Sequence, residues 1–541
     1  VKRGLQLIVI DPRESEAARD AAVFLQPKPG EDPTILAGMI RLILAEGLTD
    51  ESFVDAHTQG LTELRSAVEP FTLDYVERRA GVPGEDVARA ARLFASLSNG
   101  GVNVGTGPNM APRGNLTEYL GLVLNTLTGH WRREGEALPN PGVLMAPSPS
   151  KAQAFDPYPA WGFGEHLRVR GLTNTVAGMP TAGLADEILM PGEGQVKALF
   201  SLGGNPMAAW PDQDKTLAAM NELELNVSLD IKMSATAKLA DYVIAPKLSL
   251  EVPGMTLPTE SLTPYAMGYP EPYAMYSPAI VDPPEGSDVI EEWEFFYGLA
   301  QRMNLPLTLA ASYEWGPDSE APEVTELDMS CPPTNDELFE ALTKGARVPL
   351  SEVKKYSEGA IFPYEALVEP ADADATGRLD FADRTMMGEL AEVALEPIDR
   401  DSYYAFRLVS RRLPDVHNSA GRDIPKLVRK WSYNPAFMNP EDLTDHGLEK
   451  GDMIEITSSH SSILGIVEPE EGIRRGVISM PHAFGDAPGS PDDKDVRKIG
   501  SNTGRLSSVE RNCDRYSGIP LMSAIPVNIT AAEERIPGQG V

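Results

Sequence analysis

Four segments of strand length in this chain each stop in a turn built from Asp, Gly, Asn or Pro. Residues 5–10 (LQLIVI) run into Asp11-Pro12-Arg13, residues 196–202 into Gly203-Gly204-Asn205-Pro206, residues 223–229 into Asp230, and residues 241–244 towards Pro246. A run as apolar as residues 5–10 belongs in a parallel sheet covered by helices. Such sheets bind ligands beyond the carboxyl ends of their strands, where these four turns lie. Between the turns the spacing predicts helices over 15–22, 33–44, 85–97 and 116–128 and further strands over 23–25 and 101–105. Asp32 reads as a helix cap, with Pro33 as the first helical residue.

The pattern changes along the chain. Residues 139–161 are rich in Pro, Ala and Ser and mark a boundary or long loop. Residues 253–290 read as an extended surface connection, and 310–375 as an acidic, irregular excursion. From about 402 short strands dominate, over 404–409, 453–457, 463–467 and 476–480, which suggests a small β-barrel or sandwich.

Composition narrows the function classes. Eighty acidic against 47 basic residues give a net charge of −33, which argues against a nucleic-acid partner. The two cysteines, Cys331 and Cys513, cannot build an iron–sulfur cluster or a cysteine-rich zinc site. No run of apolar residues is long enough for a membrane span. The strand over 5–10 stands at the very start, and its sheet neighbours are expected upstream of Val1, so the chain reads as part of a longer protein.

Spaced segments together resemble the dimethyl-sulfoxide-reductase superfamily of molybdopterin oxidoreductases. They are residues 7–54 (LIVIDPRESEAARD through ESFV), LTGHWRREG, LFSLGGNP, ADYVIAP, TGRLDF, VHNS with NPEDLTDHGLEKGDMIEITS, GVISMPHAFG and IPLMSAIPVNI, in the family's order. The resemblance implies an α/β fold: parallel-sheet, Rossmann-like domains followed by a C-terminal six-stranded β-barrel of the double-psi type. It divides the chain into the remainder of one α/β domain (1–145), a second α/β cofactor-binding domain with returning segments (146–400), and a molybdopterin dinucleotide-binding barrel (401–541). It implies a bis-molybdopterin guanine dinucleotide carrying molybdenum or tungsten, a small-molecule substrate, and an iron–sulfur electron-transfer subunit as partner. The metal ligand and any 4Fe-4S cluster are expected upstream, so no catalytic residue and no metal ligand is assigned within the chain. A hydratase-type relative and a metal-free, electron-conducting subunit of the same fold are the competing readings.

By the same resemblance, Asp11, in the turn with Pro12 and Arg13, accepts hydrogen bonds from a guanine; without it the motif is an ordinary strand-end turn. Asp230 takes the matching role for a second guanine. Gly30 allows close backbone approach and Asp32 meets the nucleotide, although capping alone would also explain that pair. Thr106 lies in a loop that approaches the metal, and Asn205 lies near the second nucleotide. Ser410, Arg412, His417, Asn418 and Ser419, with His482 and Asn502 further on, match barrel contacts to the pterins. Three departures stand out: Met110 where many relatives carry Gln, Arg411 where Gly is frequent, and no arginine over 138–146, which disfavours formate. An ordinary dinucleotide dehydrogenase is excluded because the first strand leads into DPRESE, not a Gly-rich turn.

Overall fold

The computed structural model describes residues 4–138, 140–260, 269–311, 324–398, 402–493 and 495–532. Pro139 in the expected first boundary, the 400/401 boundary, and parts of the 253–290 and 310–375 stretches lie outside the described residues.

In the first unit, β1 (Ile8–Ile10) runs parallel to β2 (Val23–Leu25), with Ile8 opposite Val23. Helix α1 (Asp32–Glu46) follows, starting one residue earlier than the capping pattern predicts. Glu31 occupies the cap position and Asp32 is already helical; Gly47, at φ +67°, ends the helix in the left-handed conformation that suits glycine. Ile35, Ile40 and Ile43 of α1 are fully buried, each such side chain contributing about 1.5–3 kcal/mol. Helices α2 (Leu73–Ala80), α3 (Gly84–Ala95) and α4 (Gly114–Leu127) pack around it; α3 and α4 fall close to the predicted bounds, and α2 was not anticipated.

One expectation fails here. Residues 101–105 form no strand: Val102 N–H donates to the side chain of Asn125 (3.0 Å) in place of a ladder partner. Among the described residues β1 pairs only with β2. The two segments face each other across a cleft.

The second unit is a three-stranded parallel sheet in the order β3 (Ala198–Leu202), β4 (Leu225–Leu229), β5 (Tyr242–Ile244), in which Leu202, Leu229 and Ile244 align across the ends. Helix α5 (Gln213–Glu222) joins β3 to β4 in the βαβ manner. The stretch expected to be irregular carries a helix, Asn335–Leu342, stabilised by reciprocal hydrogen bonds between Thr334 and Glu337. Further on the chain returns to the first unit. Leu379–Asp380 pairs in parallel with Thr58–Gln59, and α6 (Arg384–Leu395) inserts Met386, Leu390 and Val393 into the first core.

The last block closes a six-stranded barrel: β6 (Phe406–Arg411), β7 (Ala436–Met438), β8 (Met453–Thr457), β9 (Ser462–Pro469), β10 (Val477–Pro481) and β11 (Ile525–Ala531). Around the barrel the order is β6-β10-β7-β9-β8-β11, and β11 shuts the ring by pairing with both β6 and β8. Closure removes the exposed edges that an open sheet of short strands would leave. Leu408, Ile454, Ile456, Ile478, Met480 and Val527 fill the interior. Of the six strands, β7 and β11 were not anticipated.

Candidate functional site between the α/β units and the barrel

The turn after β1 is pinned to the barrel. Arg13 N–H donates to Asp11 Oδ1 (2.8 Å), which shapes the turn. Gln26 Nε2 donates to the carbonyls of Pro12 (3.1 Å) and Gly472 (3.0 Å), Glu14 N–H donates to Gly472 O (2.8 Å), and Arg474 N–H donates to Pro12 O (2.9 Å). Burial raises the Asp11 carboxyl above its ordinary range, against the turn's own hydrogen bond and the nearby Arg13 and Arg411.

Gly30 and Asp32 stand beside this turn. Gly30 has φ +88°, and a Cβ there would lie 3.3 Å from Ala524 Cβ of the barrel, so only glycine seats without strain. Asp32 is pushed up to about 6 by burial, with smaller contributions from Glu31 and Asp11. Glu31 points the other way, accepting from Thr34 Oγ1 and from Arg79 Nε, both at 2.7 Å. A third wall is the loop after residue 105. Met110 O accepts from Met522 N (2.9 Å) and Ser523 N (3.0 Å), while added Cβ atoms at Gly105 and Gly107 would meet nothing.

These walls enclose one cleft of about 920 Å³. Nine of the predicted residues line it: Asp11, Pro12, Arg13, Gly30, Asp32, Thr106, Ser410, Arg412 and His482. Burial, with Arg412 and Arg422 nearby, lowers His482 to about 4, so its imidazole is neutral at pH 7.

Asn205, Asp230, His417, Asn418, Ser419 and Asn502 do not line that cleft; hydrogen bonds tie the Asp230 turn to Ser419 and Asn502 to Met207 and Ala208, across the contact of the second α/β unit with the barrel. Asp230 repeats the Asp11 geometry, its Oδ1 accepting from Lys232 N–H (3.3 Å). Lys232 Nζ then donates to Ser419 O (3.2 Å) and pairs with Asp423, tying this turn to the barrel loop that carries His417 and Asn418. His417 and Ala420 exchange backbone hydrogen bonds, and Arg412 Nη1 donates to Asn418 Oδ1. Asn205 is buried; its Oδ1 accepts from Thr236 Oγ1 (2.9 Å), and its Nδ2 has no partner. Asn502 differs: Nδ2 donates to Met207 O (3.0 Å) and Ala208 O (3.3 Å), and Oδ1 accepts from Gly504 N–H (2.7 Å), so its amide is spent on joining the barrel to the second unit.

Sequence reasoning missed several residues. Arg411 lines the cleft, ion-paired to Glu470 with its guanidinium 4.1 Å from the Phe437 ring centroid. Its adjacency to Arg412 at a strand end was the available signal. Met522 and Ser523 also line the cleft, and no motif marks them.

The unspent groups suit a large polar ligand that both donates and accepts hydrogen bonds. Asp11 and Asp230 each have a second carboxylate oxygen that accepts from no protein donor among the described residues, and Asn205 Nδ2 is a buried donor without an acceptor. Comparison with known proteins agrees. Residues 1–265 match the family model "Molybdopterin oxidoreductase", and residues 406–526 match "Molydopterin dinucleotide binding domain". The chain belongs to the molybdopterin oxidoreductase family. It is of the dimethyl-sulfoxide-reductase type and is an oxidoreductase with a molybdopterin dinucleotide site. This molybdopterin oxidoreductase is 24% identical over 499 residues to the F420-dependent formate dehydrogenase 1 subunit alpha of Methanococcus maripaludis, covering 90% of this chain and 68% of that protein. It is also 24% identical over 520 residues to the acetylene hydratase of Syntrophotalea acetylenica, covering 89% and 67%. The solved acetylene hydratase of Pelobacter acetylenicus shares the fold with TM-score 0.71 at 20% identity, covering 98% of this chain and 74% of that one.

Proposed function

We propose that this chain holds a bis-molybdopterin guanine dinucleotide carrying molybdenum or tungsten, and that the enzyme it belongs to performs a two-electron oxygen-atom or hydride transfer on a small molecule. The observation that carries this reading is the repeated turn at Asp11 and Asp230, two strand ends with the same carboxylate geometry, each joined to the barrel. A carboxylate can accept both the ring N–H and the exocyclic amine of a guanine, so two such turns suit two guanine nucleotides. When bound, the cofactor supplies the redox chemistry of its metal.

The chain's own residues bind and orient. Gly30 lets the backbone come close, and Gly105 and Gly107 leave the opposite wall open. His482, neutral at pH 7, can donate from one ring nitrogen and accept at the other. Arg412 presents a cation to anionic groups. Met110, a thioether on the cleft wall in a loop that the family resemblance brings towards the metal, offers no donor, which would leave substrate recognition to other groups. Cys331 and Cys513 are too few to hold a 4Fe-4S cluster, and the family resemblance puts the metal ligand on a segment ahead of the Asp11 turn. The subunit-alpha naming of the formate dehydrogenase relatives supports a partner subunit that carries electrons. Among the described residues no helix is long and apolar enough to cross a membrane.

Likeness to an acetylene hydratase over 89% of the chain supports a second reading, in which the same cofactor serves water addition. The unspent polar groups of the site disfavour a cofactor-free structural subunit. Metal analysis and acid release of guanine nucleotide from the purified full-length protein test the main reading. Two guanine nucleotides per molybdenum or tungsten are expected, and absence of both sinks it. Turnover with an artificial electron acceptor or donor then separates the redox reading from the hydratase one.

A further inference from the structure

Arg422 lies on the barrel loop between β6 and β7, in the same run as His417, Asn418 and Ser419. Its guanidinium stacks 5.1 Å from the Phe484 ring centroid, and its Nε is buried without a hydrogen-bond partner. Among the described residues it forms no ion pair. The two carboxylates whose charge reaches it, Asp423 and Asp486, are engaged elsewhere: Asp423 by Lys232, and Asp486 by Lys238 Nζ (2.8 Å). Arg422 is only partly buried, but its Nε–H is shut off from water with no acceptor, a cost that a fold tolerates where a ligand completes it.

The surroundings identify the kind of ligand. His482 faces both Arg412 and Arg422 and is neutral, so it adds a donor without adding repulsion. Across the junction, Asn205 is held by Thr236 with its Nδ2 hydrogen atoms unspent, and Lys238, two residues after Thr236, reaches Asp486 of the barrel. Two buried donors therefore stand without acceptors on opposite sides of one interface, from different units of the fold. The group they need is rich in acceptor oxygens and carries more than one negative charge, as a diphosphate does.

We propose that Arg422 binds the diphosphate of the second dinucleotide, with Asn205 as the facing donor, at the subsite whose guanine end is marked by Asp230. This rests on the function proposed above and adds a residue that the motif comparison left out. Recognition then spans the junction: Asn205 and Asp230 come from the second α/β unit, and Arg422 comes from the barrel. Binding the diphosphate would neutralise the guanidinium, give its buried Nε–H an acceptor and fasten the barrel to that unit.

The test uses the full-length enzyme with Arg422→Met and Arg422→Lys. Guanine nucleotide per chain is measured after denaturation, and so is the rate of nucleotide loss during gel filtration. Arg422→Met should lose one of the two nucleotides, or release it at least about tenfold faster, as expected for a lost charge-assisted hydrogen bond. Arg422→Lys should restore most of the retention. Cofactor-free Arg422→Met should melt no lower than cofactor-free wild type, because a buried N–H without an acceptor has been removed. A guanidinium that served only to stack on Phe484 would give the opposite pattern: both nucleotides retained and a lower melting temperature. Phenylglyoxal labelling of wild type, mapped by mass spectrometry, keeps the test open should the variants fail to fold. Arg422 should be labelled in cofactor-free protein and protected in the holoenzyme and by inorganic pyrophosphate; equal labelling in all three states overturns the assignment. Wild type without any guanine nucleotide would overturn the proposed function itself, whereas two nucleotides in both wild type and Arg422→Met would overturn only the role of Arg422.

Discussion

Asp11 and Asp230 carry the same turn: each uses Oδ1 to accept the backbone N–H two residues on, from Arg13 at 2.8 Å and from Lys232 at 3.3 Å, at the end of a parallel strand. The turn consumes one oxygen and leaves the other for a ligand. An asparagine keeps the oxygen needed for the turn and replaces the second acceptor by a donor, so Asp→Asn separates shape from recognition. Asp11→Asn and Asp230→Asn should each weaken guanine binding by about 1.5–3 kcal/mol with little change in melting temperature. Guanine nucleotide retained per chain is the measurement, and unchanged retention in both variants would remove the guanine assignments.

The legible part of the site is the local part. Asp11 and Asp230 could be read because an apolar run that stops at an acidic turn is a short-range pattern, and the Gly30–Pro33 turn likewise. Asn502 could not: its amide answers Met207 O, 295 residues earlier, so nothing near it in the chain reveals that it is already spent. Arg422 was invisible for a different reason, since what marks it is the absence of partners in the folded protein. The barrel shows the same division. β8 matched the predicted bounds because it alternates plainly, whereas β7 is only three residues long and β11 is defined by closure onto β6 and β8. The 101–105 run has strand composition, but a ladder needs a neighbour, and composition cannot supply one.

Asp32 should make cofactor-free protein less stable as pH rises. Its folded pKa of about 6 lies above the unfolded 3.8, so the folded state holds the proton more tightly between these values. Stability therefore falls as pH climbs through that window, by roughly 3 kcal/mol at most. Asp32→Asn should flatten this dependence and melt higher than wild type at pH 7–8 in cofactor-free protein. Chemical denaturation from pH 4 to 8 checks it, and parallel curves for the two proteins would contradict the burial argument.

His482 should act on the acid side. Its folded pKa of about 4 lies below the unfolded 6.5, so the unfolded state binds the proton more readily. Stability is intact above pH 6.5 and is lost as pH falls towards 4. His482→Gln removes the titrating group while keeping a polar side chain, and should shrink the loss over that window. An acid limb of unchanged steepness in the variant would show that other groups control it.

The buried pair behind the Gly30 turn is the strongest stability prediction. Arg79 is 3% exposed; its Nε donates to Glu31 Oε2 at 2.7 Å and its Nη2 donates to Glu396 Oε2 at 2.9 Å. Glu31 also accepts from Thr34 Oγ1, and Arg113 pairs with Glu396, so one network joins the start of α1, helix α2, the turn before α4 and the end of α6. Arg79→Met strands Glu31 as a buried charge and should cost about 3–5 kcal/mol. Arg79→Met with Glu31→Gln removes both members of the closest pair and should recover part of that loss. Because Glu31 directly precedes Asp32, the single variant should also loosen the cleft wall and speed nucleotide loss. A double-mutant cycle by urea unfolding measures the coupling; a value near zero would mean that packing around α1, and not the ion pair, holds the Gly30–Asp32 turn in place.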